Sequence, residues 1–241
     1  MISRRAIAAG IVGVAGGGLG GVLVAMRARP EASIRFIGRE DTIIALLDTT
    51  NERVLFFLGE PNERVLDHLP QLLTYGGTRV DLIAASHRWL TFAGIRDAID
   101  LDSTQTLVLQ SDSVLPPIAG NVHVVLDSMV IELSGGTEIR ITVDRDDPNE
   151  PANPLIAVEI AIDGSRLLLA NREPALELVF ERQQLIAVPG DVSPEALHAF
   201  SPSIVVSTAL LEDTIFENVL VYDSDPIALT LSSGTISTNR D

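Results

Sequence analysis

The chain reads as an α/β protein of stacked sheets with helices outside, preceded by an apolar amino-terminal segment. Three observations predict this. Short apolar or alternating runs recur from Ser33 to Leu231, interleaved with helical spacings in two successive halves. The stretch from Ala6 to Met26 holds 21 residues without a charge. A composition of 46% hydrophobic and 21% charged residues over 241 positions belongs to a globular chain able to bury a sizeable core.

Charge and residue usage narrow the function classes. Thirty-three acidic residues stand against 17 basic ones, all of them Arg, for a formal net charge of −16. Residues 1–29 contain four of the Arg and no acid, so the remainder carries 13 bases against 33 acids, or −20. Such a body has no basic footprint for phosphates, and direct nucleic-acid binding is not expected. The absence of Cys excludes disulfides, thiolate zinc sites, iron–sulfur clusters, a cysteine nucleophile and lipoprotein attachment. Only His68, His87, His123, His198 and the carboxylates remain for metal or acid–base chemistry.

The amino-terminal segment is long enough to matter. Twenty-one residues rising about 1.5 Å each just cross a hydrocarbon core of about 30 Å. Ahead of them, Ser3-Arg4-Arg5-Ala6-Ile7 resembles the core of a twin-arginine export signal, with Arg4 and Arg5 as the targeting pair. Read simply as an anchor, the same pair holds the start of the segment inside. The exit, Met26 to Ser33, shows no clean pair of small residues for a signal peptidase. The expectation is a retained anchor in residues 1–29, with residues 6–26 in the membrane and the acidic body on the extracytoplasmic face; the alternative is a cleaved signal and an exported body. Glycines spaced as Gly13/Gly17 and Gly17/Gly21 suit close helix packing in lipid, although a stretch with seven glycines produces such pairs by chance. Gly16 to Gly21 lacks the Lys of a phosphate loop.

The body follows in order. Ser33–Ile37, Thr42–Leu47 and Arg53–Leu58 read as a meander of strands with a turn at Asp48–Asn51. Val65, Leu66, Leu69, Leu72 and Leu73 give Asn62 to Tyr75 a helical spacing that ends at Gly76-Gly77. Val80 to Ala85 is nearly all apolar, as in a strand covered on both faces. A helix is expected over Leu90 to Ile99, then strands at Leu107–Leu109, Val122–Leu126, Val130–Leu133, Glu138–Val143, Leu155–Ile162 and Arg166–Leu169. Asp144 to Asn153 carries four carboxylates without the ordered spacing and central Gly of a calcium loop, and reads as a solvated loop. Helices around Pro174–Gln183 and Pro194–Phe200 alternate with strands at Leu185–Val188, Ile204–Ser207, Val219–Tyr222 and Ile227–Leu231. The folded body is thus bounded at 33–231, and the polar end, 232–241, reads as a frayed tail.

The order of these pieces resembles the metallo-β-lactamase superfamily, and within it the soluble carboxy-terminal domain of ComEC-type competence proteins. The family motif VGQGDA has its counterpart in Ile37-Gly38-Arg39-Glu40-Asp41-Thr42, and LIDGG in Phe56-Phe57-Leu58-Gly59-Glu60. Gly38, Asp41 and Gly59 fit, while the acid of LIDGG falls on Leu58. The metal motif THxHxDHxGG aligns with Ser86 to Ile95, where only the first His survives, as His87. Trp89, Thr91 and Phe92 take the places of the second His, the Asp and the third His. The metal-bridging Asp of LLTGD falls on Arg172, and VPHHGS becomes Val188-Pro189-Gly190-Asp191-Val192-Ser193. Val221 to Ile227 and Ser232-Ser233-Gly234 echo the family's closing stretch.

The resemblance implies a four-layer αββα sandwich. In the family's hydrolases, zinc held by imidazole and carboxylate lowers the pKa of bound water and polarises the scissile bond. One imidazole with a guanidinium at the bridging position gives neither the geometry nor the affinity, and no cofactor is expected. His87, Trp89, Phe92, Arg172 and Asp191 are then the residues of a vestigial cleft, with Trp89 and Phe92 as an apolar plug. The same residues admit a cleft remodelled for an anionic or aromatic ligand through Arg172, His87 and Trp89. The implied role is a catalytically inactive domain, structural or bound to a protein partner at the membrane. The alternatives are a hydrolase with relocated ligands, such as His87 with Asp191, and an accessory of a ComEC-like uptake system. His68, His123 and His198 read as structural or surface residues, and Asp81 as an ion-pair partner of Arg79 or Arg88.

Overall fold

Each half of the chain lays down an antiparallel meander and then turns parallel. The computed structural model describes residues 32–74, 79–92, 95, 99, 101, 104–109, 121–144, 154–211, 216–221 and 225–238. The anchor and targeting readings at residues 6–26, Arg4 and Arg5 lie outside these residues, as does most of the acidic loop at 145–153. In the first half β1 (Ala32–Arg39), β2 (Thr42–Asp48) and β3 (Arg53–Gly59) pair antiparallel. β4 (Leu82–Ser86), β5 (Gln105–Leu109) and β6 (Val122–Val125) add in parallel. The second half repeats the plan, with β7 (Ser128–Glu132), β8 (Glu138–Asp144), β9 (Leu155–Ile162) and β10 (Ser165–Ala170) antiparallel. β11 (Leu185–Val188), β12 (Ile204–Ser207) and β13 (Glu217–Leu220) then run parallel to β10. β14 (Ile227–Ser232) and β15 (Thr235–Thr238) return to the first sheet beside β1.

Three apolar layers make this a four-layer αββα sandwich. Phe36, Ile43, Phe56 and Leu58 of the first sheet share a continuous buried cluster with Ile141, Val158, Leu167 and Val206 of the second. The opposite face of the first sheet, with Ile44, Leu46 and Phe57, packs on α1 (Glu63–Leu66), α2 (Leu69–Thr74) and α3 (His87–Thr91). The opposite face of the second, with Leu168, Ile186 and Val205, packs on a 3-10 helix (Glu173–Leu178) and on α4 (Pro194–His198). Strands covered on both faces explain the unbroken apolar runs, each fully buried side chain adding about 1.5–3 kcal/mol.

Local chemistry explains where the elements differ from the sequence expectations. The helix expected over Asn62 to Tyr75 is two helices, because Pro70 lacks an N–H and disfavours helical geometry just before it, so a new helix starts there. A short helix, α3, comes first, at His87–Thr91, and Phe92 leaves it in an extended conformation (φ −73°, ψ 125°); of the helix expected over Leu90 to Ile99, residues 93, 94 and 96–98 lie outside the described residues, and the Ile99 N–H donates to the Ile95 carbonyl at 3.0 Å. The expected helix Pro174–Gln183 is a 3-10 turn ended by Val179 (φ −125°, ψ 136°). The frayed tail is corrected too: Ser232 closes β14, and Thr235–Thr238 pairs with it, Leu231 opposite Ile236.

At the pole where β1 begins, two tight turns stack back to back. Asp163-Gly164 and Ser233-Gly234 have positive φ at both positions (45° and 81°, 48° and 77°), as type I′ hairpins require. The Ser233 N–H donates to Asp163 Oδ2 at 2.5 Å, and Gln184 Nε2 donates to the Gly234 carbonyl at 2.9 Å, joining the two sheets. Nearby, the Arg53 guanidinium is buried. It donates to the carbonyls of Arg79 (3.1 Å) and Leu73 (3.2 Å) and lies 3.6 Å from Asp48. Burial pushes its pKa below the usual arginine value, against the opposing pull of Asp48. Asp81 meets Arg79 at 3.0 Å, as one of its two expected pairings, and accepts the Arg53 N–H at 3.0 Å.

Candidate functional site

The carboxyl ends of the parallel strands are where open α/β sheets present their loops, and the cleft residues belong to that end of the sandwich. Here the β1–β2 turn, the end of β3 and α3 from the first sheet meet the ends of β11 and β12 from the second. Glycine makes the approach possible. A Cβ on Gly59 (φ 76°) would lie 1.8 Å from the Asp41 carbonyl oxygen and 3.3 Å from Pro189 Cγ. A Cβ on Gly190 (φ 76°) would lie 2.8 Å from Asp41 Oδ1. Asp41 is thus held between the two, its carbonyl taking the Glu60 N–H at 3.1 Å.

Hydrogen bonds then lace the two sheets together across this mouth. The Gly190 N–H donates to Thr208 Oγ1 at 2.8 Å, and the Thr208 hydroxyl donates to the Glu40 carbonyl. Ser207 Oγ donates to the Gly190 carbonyl at 3.3 Å and accepts the Ala209 N–H at 3.1 Å. Thr42 Oγ1 donates to the Glu60 carbonyl at 2.5 Å. Glu40, at φ 52°, holds a backbone conformation that glycine tolerates and glutamate resists. It stands in the two-residue turn between β1 and β2.

Trp89, the largest fully buried side chain, lies on the helix side of the first sheet, in the cluster with Phe57 and Leu90. Its indole N–H donates to the Gly59 carbonyl at 2.9 Å, and its ring meets Phe57 at 4.9 Å between centroids, tilted 44°. Phe92 packs, half-buried, against the same apolar cluster. Thr91 is exposed, its hydroxyl spent on the His87 (3.2 Å) and Arg88 (3.0 Å) carbonyls. Arg88 reaches Glu60 at 2.6 Å rather than Asp81. Leu58 lies in the core between the sheets, where a carboxylate would have no water.

His87 is the first residue of α3 and half-buried, with Ser86, the last residue of β4, as the helix cap. Arg172 precedes the 3-10 helix and is half-buried, and Asp191 is exposed beside Gly190. The bonds that join the loops run instead through Glu40, Thr208, Asn171, Glu173 and Ser193, none of them among the candidate cleft residues. Asn171 is buried, accepting the Ile156 N–H and donating to the Pro154 carbonyl, both at 2.8 Å, which ties the start of β9 to the end of β10. Glu173 takes the Ser193 N–H (2.8 Å) and hydroxyl (2.7 Å), fixing the cap of α4. Asn after a strand and Ser before Pro194 were the only sequence signals for these contacts. His68 is half-buried, His123 exposed, and the exposed His198 stacks 5.3 Å from Phe216.

The donor set does not fit the zinc centre that the sequence resemblance brings to mind. The Trp89 indole N–H, which can only donate, is bonded to the Gly59 carbonyl. Among the described residues no three His, Asp or Glu side chains converge as a ligand group.

No protein-family model and no curated protein matches the sequence. Similar solved structures include members of the metallo-β-lactamase superfamily. MEM-A1, a subclass B3 metallo-beta-lactamase from a soil metagenome library, is 15% identical over 72% of this chain and 78% of its own, at a TM-score of 0.36. A mutant of the CmlA beta-hydroxylase is 11% identical over 73% of this chain, at a TM-score of 0.45, and this chain spans only 45% of its length. The chemotaxis sensor ODP, in a peroxy diiron state, is 18% identical over 62% of each chain, at a TM-score of 0.42. The four-layer architecture stands on this chain's own strand pairing and packing.

Proposed function

We propose that this chain is a degenerate metallo-β-lactamase-like domain whose metal cleft has become a packed, hydrogen-bonded mouth. It works without catalysis, as a structural or partner-binding subunit. The observation that carries this reading is Trp89. At the position of a metal-binding imidazole stands an indole that is fully buried, bonded to Gly59 and stacked near Phe57. An imidazole in its place would leave the Gly59 carbonyl without that donor and a void beside Phe57. The ligand losses in the sequence fall in both halves, on Leu58, Trp89, Thr91, Phe92 and Arg172, so neither position of a two-metal centre keeps its ligands. The ComEC likeness rests on the order of motifs, and together with a body charge of −20 it supports a partner at a membrane rather than nucleic acid.

The same proposal tethers the body through residues 6–26 to the extracytoplasmic face. Fractionation of cells expressing the full chain tests the tether: it is expected in the membrane fraction, and recovery of the intact chain mainly in the soluble fraction contradicts it. Elemental analysis of the purified full chain, after exposure to zinc and removal of excess, tests the inactive reading. No stoichiometric metal is expected, and no hydrolysis of phosphodiesters, β-lactams or thioesters above background. Tight metal that is lost on His87→Ala would put a relocated hydrolase site in its place.

A further inference from the structure

The second sheet ends at β7, and among the described residues no strand pairs with its outer edge. Two bonds bracket its ladder to β8: the Leu133 N–H donates to the Thr137 carbonyl at 2.8 Å, and the Val143 N–H to the Asp127 carbonyl at 2.7 Å. In that register Met129 and Ile131 exchange backbone bonds with Ile141 and Ile139. Ser128, Val130 and Glu132 therefore turn their N–H and C=O groups away from β8, toward the open edge.

The side chains leave the same edge unfinished. Met129 and Ile131 are only half-buried, packed at the rim of the apolar cluster between the sheets. Val130, on the outer face, is 53% exposed, and Leu126, just before the strand, is 46% exposed. Soluble proteins guard such an edge with a bulge, a proline or a lysine. β7 uses none of these. It pairs residue for residue with β8, and Glu132 is its only charge.

We infer that β7 is a dimer edge: a second copy of this chain pairs with it antiparallel about a two-fold axis through Val130, joining two seven-stranded sheets into one. The strand's own pattern fixes the register. Only Ser128, Val130 and Glu132 offer backbone groups across the edge, and the alignment that overlaps the whole strand sets Val130 opposite the partner's Val130. It also sets Glu132 opposite the partner's Ser128, so that no two carboxylates face, as they do when the axis passes through Glu132. About six backbone hydrogen bonds form. On the inner face Met129 meets the partner's Ile131, so each copy closes the half-buried rim of the other's core. A two-fold contact needs one patch that complements itself, and Ser-Met-Val-Ile-Glu does so in charge, backbone and burial. The inference is independent of the reading of the mouth, since β7 shares no residue with it.

The test is sedimentation velocity of the full chain in a density-matched detergent, from about 1 to about 100 μM, in about 0.3 M NaCl to screen the repulsion between two acidic bodies. A monomer–dimer equilibrium is expected. Val130→Pro removes an N–H that β8 does not use, so circular dichroism should show the fold kept while dimerisation weakens at least about a hundredfold. The chain has no cysteine, which makes a single introduced one unambiguous. Oxidised Val130→Cys should give a disulfide-linked dimer, whereas Leu210→Cys, at a more exposed position (70%), should not. This pair of variants decides the matter if Val130→Pro does not fold. A full chain that stays monomeric throughout, a dimer unchanged in folded Val130→Pro, or equal cross-linking at the two cysteines would overturn the inference.

Discussion

The two poles of the sandwich both join sheet to sheet, but by different means. At the pole where β1 begins, two hairpin turns meet through residues suited to positive φ, Asp163-Gly164 and Ser233-Gly234, and nothing crowds their glycines. At the mouth the joint passes through Glu40, a non-glycine residue at φ 52°, and through Gly59 and Gly190, where a Cβ has no room. One joint is made of cheap local turns and the other of tight long-range contacts.

Substitutions should separate the two, beginning with the largest effect. Gly59→Ala places a Cβ 1.8 Å from a backbone carbonyl, which neither loop can relieve without breaking the mouth. A loss of more than about 4 kcal/mol is expected in denaturant unfolding. Trp89, the single tryptophan, reports that unfolding by its fluorescence. Trp89→Ala should cost about 3–5 kcal/mol, measured by circular dichroism. Trp89→Phe should recover most of that, its remaining deficit of about 1–3 kcal/mol being the Gly59 carbonyl left without a donor. A loss under 1 kcal/mol for Trp89→Ala would remove the plug from the account.

The opposite pole should be milder. Gly164 has only the Gly234 backbone in reach, 3.5 Å from a built Cβ, so Gly164→Ala carries the conformational cost alone, about 1–2 kcal/mol. The smallest effect has the opposite sign. Glu40→Gly relieves the strained turn and gives up only a 3.4 Å contact to Asn62 and a 3.6 Å contact to Arg39, so a gain of about 1 kcal/mol is expected. A destabilised Glu40→Gly would mean that the glutamate side chain, not the turn, holds the mouth.

The same contrast governs what the sequence reveals. β2, β9, β11 and β12 are legible because apolar runs with both faces buried follow from composition alone, and the Asp-Gly and Ser-Gly turns carry their own backbone chemistry. The break at Pro70 was legible in principle, since proline's missing N–H acts locally. β15 was missed because an edge strand of Thr, Ile, Ser and Thr has neither an apolar run nor burial to announce it; its partner β14 decides it. At the mouth the motif comparison singled out Trp89 and Phe92, and the structure packs both into the apolar cluster on the helix side of the first sheet. The contacts of Thr208 with Glu40, 168 residues apart, and of Glu173 with Ser193 depend on how two sheets meet, and no local signal encodes that.

The central claim is that the mouth is a metal cleft whose ligands have been replaced in situ. It is tested most directly by putting them back. Isothermal titration of zinc into the full chain carrying Trp89→His, Thr91→Asp, Phe92→His and Arg172→Asp together is expected to show stoichiometric binding, with none in the parent chain. Unfolding of both proteins, followed by circular dichroism, verifies that the restored chain is folded, because losing two aromatic side chains costs about 3–5 kcal/mol each. A folded restored chain without zinc affinity, or a parent chain that already binds zinc, would contradict the account.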